Sequence, residues 1–282
     1  MIIGRAIVTD LCDAKGSART FSTLQVIMTL GPIIAPILGG SIITFGGWRP
    51  VFAFMLAFGL LCLLLVWRFI PETLPEAARH DRSNSESVLS TWRGLLARRA
   101  FVVPMVVGGI GQASMFAFIT GSPFVFMGLH GATSRQYGFL FALIALSLIV
   151  FAQVNRVALK RYSPQTMLSV ALTMTVAGAL LSVLAVSTNS LVVLVATLWV
   201  AIGALGFLGA NAVALAMAAT GRSPGSGSAL VGVFQFGCAF LVSSLVAAFQ
   251  NGTAYPMTVA IALCATTAMS VRIVFGRKVI AQ

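Results

Sequence analysis

Eight long stretches of nearly uninterrupted apolar residues divide the chain, at roughly 20–44, 48–69, 101–127, 135–155, 165–187, 191–218, 227–249 and 255–275. A helix needs about 20 mainly apolar residues to cross a bilayer, and each run reaches that length. The runs are continuous rather than alternating and are too long for the strands of a membrane barrel. They predict an all-α membrane protein with about eight transmembrane helices. The polar gaps are short except at residues 70–100, whose Pro, Ser and charged residues read as the one real linker.

Composition agrees with the pattern. Apolar residues make up 59% of the 282 and charged residues 9%, against about 25% charged in a soluble domain. A soluble enzyme, a disordered chain and a disulfide-stapled secreted domain are thereby excluded. The aromatics are mostly Phe, 20 against 4 Trp and 3 Tyr, which suits hydrocarbon or an apolar cavity. None of the four cysteines forms a Cys-x-x-Cys pair, so neither a disulfide framework nor a zinc site is indicated.

The net charge of +12 does not point to nucleic acid, because the basic residues sit in short gaps rather than on a wet face. With the spans threaded alternately, every Lys and Arg except Arg49 and Arg135 falls on one side. The positive-inside rule makes that side cytoplasmic. Both termini are then cytoplasmic, in a multi-pass protein of the inner or plasma membrane. Residues 1–19 lack the features of a signal peptide and read as the cytoplasmic end of a helix whose earlier part precedes Met1.

All six acids, Asp10, Asp13, Glu72, Glu76, Asp81 and Glu86, lie outside the eight runs, and the two histidines lie in gaps. An intramembrane hydrolase or metal enzyme would need a general base or a ligand cluster there. No enzymatic activity, metal site or cofactor is expected, and any proton carrier must lie outside these runs. The polar groups deepest in the runs are the amides Gln112, Asn211 and Gln235. An amide in hydrocarbon needs a partner or a wet cavity. Interhelical packing is the commoner use of a single amide, and a substrate-cavity wall is the alternative. Phe116 and Phe118 follow Gln112 by about one and two turns, and Phe234 and Phe236 flank Gln235.

Residues 29–40, TLGPIIAPILGG, place Pro32 and Pro36 within one run beside Gly31, Gly39 and Gly40. Proline frees a carbonyl and bends a helix, and glycine admits a close neighbour. Two glycine-rich segments, at 108–114 and 221–228, resemble phosphate loops but lack the strand context or the Gly-Lys-Ser/Thr ending such loops require.

These motifs together resemble the major facilitator superfamily, and within it the Bcr/CflA-type drug:proton antiporters. Gly31-x-x-x-Ala35-Pro36-x-x-Gly39-Gly40 is similar to the antiporter motif of the family's fifth helix, with Ala35 in place of a glycine. GWRPVF from Gly47 to Phe52 resembles the turn between helices five and six, and PETLP at 71–75 the end of helix six. FAFITGSPFVF at 116–126 and YGFLFALIAL at 137–146 resemble helices seven and eight. NAVALAM at 211–217 and GSGSALVGVFQFG at 225–237 resemble helices ten and eleven. GRAIVTDL at 4–11, with Arg5 and Asp10, resembles the cytoplasmic end of helix four.

The resemblance implies a partial major-facilitator bundle, lacking helices one to three and most of four. Residues 1–69 would be the remainder of the N-terminal half, 70–100 the cytoplasmic linker and 101–282 the six-helix C-terminal half. It implies export of small amphipathic molecules or drugs by proton antiport, across a bilayer that serves as solvent and partner. Substrate would bind near the midplane between two halves that rock, against Gln112, Phe116, Phe118, Asn211 and Gln235. The proton carrier would belong to the family's earlier helices. A metabolite or sugar exporter of the same fold and a non-transporting membrane fragment are the competing readings.

The charge pattern predicts topology. Reporter fusions after Gly131, Asn189 and Asn251 should report the outside, and fusions after Ser85 and Gly221 the cytoplasm. Reversal at any two of these positions sinks the span assignment.

Overall fold

The computed structural model describes residues 31, 34–35, 37–44, 46–69, 88–221 and 223–276. Helices are α1 (Arg49–Phe69), α2 (Val88–Leu96), α3 (Arg99–Pro123), α4 (Ser134–Ala158), α5 (Pro164–Ala185), α6 (Leu191–Gly203), α7 (Leu205–Ala218), α8 (Pro224–Ala248) and α9 (Tyr255–Gly276). The described residues contain no strand. Among the described residues, seven segments are long and apolar enough to cross a membrane. The first predicted run, 20–44, lies largely outside the described residues, and the residues described within it are helical. The run 191–218 is a single span broken at Ala204 into α6 and α7.

Two compact units divide the chain, Met1–Glu86 and Ser87–Gln282. In the first, α1 has no buried residue. A helix apolar all round needs lipid or protein on every face. Arg49 lies over the Trp48 ring at 5.4 Å and Arg68 over Phe69 at 5.6 Å. Each end of the span thus carries the cation and aromatic pair suited to a membrane boundary.

In the second unit α3 is the axial helix, packed against α7, α8 and α9. Its mates α5, α6 and α4 complete the bundle, with α5 against α6, α7 and α9 and α4 against α6 and α7. Local chemistry sets the helix starts. Thr133 and Gln136 form a capping box before α4, and Ser163 and Ser190 accept from the backbone at the starts of α5 and α6, satisfying otherwise orphaned N–H groups. Pro123 ends α3 in a π-helical turn, Phe124–Leu129.

The polar composition of 70–100 predicts a linker, but residues 88–96 form a helix and belong to the second unit. Trp92 and the buried Leu95 are three apart and so share a face. That face packs with Phe101, Met105, Ala216 and Leu230.

Close approach at glycine holds the spans together. A Cβ on Gly178 would lie 2.7 Å from the backbone N of Ala201 and 2.9 Å from its Cα, and one on Gly206 would lie 2.5 Å from the Leu148 carbonyl oxygen. These obstacles are backbone, which cannot swing aside. By contrast, among the described residues a Cβ at Gly232 or Gly237 meets nothing within 4 Å. Gly178→Ala and Gly206→Ala should therefore each cost about 1–3 kcal/mol from overpacking. Gly232→Ala should be neutral or gain up to about 1 kcal/mol through helix propensity. Unfolding titrations in mixed micelles would measure all three, and equal costs would refute the contact assignment.

Candidate functional site

The row Gly108, Gly109 and Gly111 on α3 brings α7 and α8 close. A Cβ on Gly108 would lie 2.8 Å from that of Ala212, and one on Gly111 2.7 Å from Leu208 Cδ1. At Gly109 it would collide with the Phe234 ring. This close packing positions Gln112, one residue beyond the row. Its amide nitrogen lies over Gly209 of α7, where any larger residue would collide with it.

Gln112 and Phe116 are four apart on α3 and share a face. Both are half-buried. Across from them on α8, Phe236 meets Phe116 edge-on with ring centroids 6.0 Å apart, and Phe236 is exposed. Gln235, half-buried, precedes it. The described residues offer no hydrogen bond to the side-chain amide of Gln112 or of Gln235. Such amides must meet water, a ligand or another surface, since leaving them dry costs about 1–3 kcal/mol.

Asn211 differs. It is 1% exposed, and its Nδ2 donates to Asn155 Oδ1 and to the Phe207 carbonyl, both at 2.8 Å. Asn155, on α4, is 3% exposed. The pair joins α4 to α7 inside the bundle, so the structure does not bring Asn211 to the face of Gln112. Nor does it bring Phe118 there. Residues two apart on a helix point about 200° apart, and Phe118 is 1% exposed, stacked on Phe141 at 5.3 Å and tilted against Phe126 at 6.2 Å.

The other sequence-derived positions fall in the first unit. Gly31 and Ala35 are exposed, Gly39 is half-buried and Gly40 is buried, all in helical backbone. Among the described residues nothing lies within 4 Å of a Cβ built on Gly31 or Gly39. Pro36, Arg5 and Asp10 lie outside the described residues. Asn155 escapes the sequence reading because it ends an apolar run beside Arg156 and so looks like a residue leaving the membrane. Phe236 is legible only as a neighbour of Gln235. No group of His, Cys, Asp or Glu suited to a metal ion occurs among the described residues.

Comparison with known proteins follows the same direction. The profile of the Major Facilitator Superfamily matches residues 1–243, and the chain belongs to that superfamily of membrane transporters. An uncharacterized MFS-type transporter, YdgK, of Bacillus subtilis is 29% identical over 260 residues, covering 91% of this chain and 64% of the relative. A bicyclomycin resistance protein homolog of Haemophilus influenzae is 27% identical over 274 residues, covering 94% of this chain and 66% of the relative. The chain thus spans slightly less than two thirds of the length of these curated relatives. The multidrug resistance protein MdtL of Shewanella oneidensis is 26% identical over 183 residues, covering 65% of this chain and 45% of the relative. These names agree with the Bcr/CflA-type resemblance of the motifs. A bacterial homolog of the human lysosomal transporter Spinster, in its inward-facing and occupied conformation, shares the fold. Its TM-score is 0.64 at 17% identity, over 97% of this chain and 73% of that one.

The contrast between satisfied and unsatisfied amides is measurable. Asn155→Leu and Asn211→Leu should each lose about 0.6–2 kcal/mol of stability in mixed micelles, and the double variant less than their sum. Gln112→Leu and Gln235→Leu should change stability by less than about 0.5 kcal/mol. A strictly additive Asn pair would show that the 2.8 Å contact is absent in the folded protein.

Proposed function

We propose that the chain is part of an efflux transporter that exports small amphipathic molecules, drugs among them, by proton antiport. Gln112, Phe116, Gln235 and Phe236 line its substrate path. The observation that carries this reading is the sorting of the amides. Asn211 is bonded within the bundle, whereas the side-chain amides of Gln112 and Gln235, beside an edge-on phenylalanine pair, have no hydrogen bond among the described residues. An apolar wall with a few polar groups suits varied amphipathic substrates, because most of the contact is undirected. The relatives' names, bicyclomycin resistance and multidrug resistance, support the substrate class.

Phe118 and Asn211 support this face from behind rather than touching substrate. Residues 87–282 contain no Asp or Glu, so the proton carrier belongs elsewhere in the transporter. The excess of Lys and Arg at one end of the spans supports cytoplasmic termini and a cell-membrane location.

The test is efflux from a host stripped of its own pumps, with the protein expressed from its native gene. Ethidium accumulation should fall, and an uncoupler should restore it. Gln112→Leu with Gln235→Leu should lower efflux about 10-fold or alter the ranking of substrates, at unchanged protein level in the membrane. Export that ignores the uncoupler would refute proton antiport. Export indifferent to both substitutions would refute the assigned face.

A further inference from the structure

Residues 87–282 carry no Asp or Glu, so no cation of the second unit has an acidic side chain of that unit to pair with. The cations are also gathered at one end. Arg93, Arg98, Arg99, Arg156, Lys160, Arg161 and Arg272 sit at that end of their helices, against Arg135 alone at the other, among the described residues. One of them, Arg272, lines a cavity of about 670 Å³ bounded by the start of α3, the start of α5, the end of α7 and the end of α9. The volume lies within the range of small-ligand sites.

Arg272 of α9 lines this cavity and is half-buried. Its guanidinium lies against Gly276, where a Cβ would come within 2.5 Å of Nη1. Its hydrogen bond with the described residues is a long one, to the Gln165 carbonyl at 3.5 Å. Arg98 is tied to one of the wall residues, donating to the carbonyl of Ala219 at 3.3 Å. A guanidinium has five donors, and each of these satisfies a single carbonyl. Ser163 and Thr166 add hydroxyls to the same wall. Gln165 lines it too, and the remainder is apolar, with Val103, Pro104 and Leu215.

We propose that this cavity holds the phosphate of an anionic phospholipid between Arg98 and Arg272, with the glycerol and first acyl carbons against Val103, Pro104 and Leu215. Basic pockets between spans at the positive end suit such headgroups, and arginine matches phosphate oxygens two at a time. The apolar wall distinguishes a lipid from a free phosphate ion, which would leave it unfilled. The site is separate from the face of Gln112 and does not depend on the transport reading.

The full chain, purified in detergent, would be titrated with phosphatidylglycerol, phosphatidylcholine and inorganic phosphate, and binding followed by native mass spectrometry. One phosphatidylglycerol should bind saturably, with phosphatidylcholine and inorganic phosphate far weaker. Arg98→Gln with Arg272→Gln should weaken phosphatidylglycerol binding about 10–30-fold. Arg156→Gln with Arg161→Gln removes equal charge from the same end and should change it less than about 3-fold. Should the first pair fail to fold, Ala218→Phe, which fills the cavity and keeps both arginines, must give the same loss. Equal weakening by the two double variants would overturn the proposal in favour of diffuse surface charge. Inorganic phosphate binding as tightly as the lipid would overturn the lipid assignment.

Discussion

Close backbone approach at small residues is the constraint on which the six-helix unit depends. Lipid tails are as apolar as leucine, so burial alone gives spans little reason to associate. Dispersion contacts supply the attraction, and they require surfaces within about 4 Å. Glycine lets that happen at Gly178 against Ala201, Gly206 against Leu148 and along Gly108, Gly109 and Gly111. The break at Ala204 belongs to the same scheme, since it separates α6 from α7 between Gly203 and Gly206, the two glycines that face α4.

With the helices that close, few polar side chains fit between them, and each has to be accounted for. Asn211 is bonded to Asn155 and Phe207, Ser114 donates to the Ile261 carbonyl at 3.4 Å and Ser122 meets the Tyr137 hydroxyl at 3.2 Å. Gln112 and Gln235 stand outside this arrangement. The α3 glycine row that tightens the packing also carries Gln112 onto Gly209, at the border between core and open face. Packing and candidate function are therefore coupled through one stretch of α3.

The charges follow a different logic. A unit spanning 196 residues without an Asp or Glu has no acidic side chain to neutralise its arginines, so their anions come from the solvent, from lipid or from another part of the protein. Gathering the cations at one end keeps them out of the hydrocarbon, where each would cost several kcal/mol. The arginines Arg98 and Arg272 settle for carbonyls, which provide geometry but no countercharge.

Much of this protein is determined by its sequence alone. Run length and the scarcity of charge dictate membrane helices, because backbone polar groups in hydrocarbon can be satisfied only within a helix or a closed barrel. The motifs at 31–40 and 116–126 point to the superfamily before any coordinates. Amide positions are equally legible, but their roles are not, since Gln112, Asn211 and Gln235 look alike along the chain. Only the tertiary structure separates them, by placing Asn155 2.8 Å from Asn211 and, among the described residues, no hydrogen-bond partner beside the other two. It likewise turns Phe118 into the core and Phe116 outward, because a helix rotates about 100° per residue. The helix α2 hides in a polar stretch, where Trp92 and Leu95 gain a reason to be helical only from the Phe101 and Leu230 surface they cover. A side chain's partner is a property of two segments distant in sequence, and folding alone decides which segments meet.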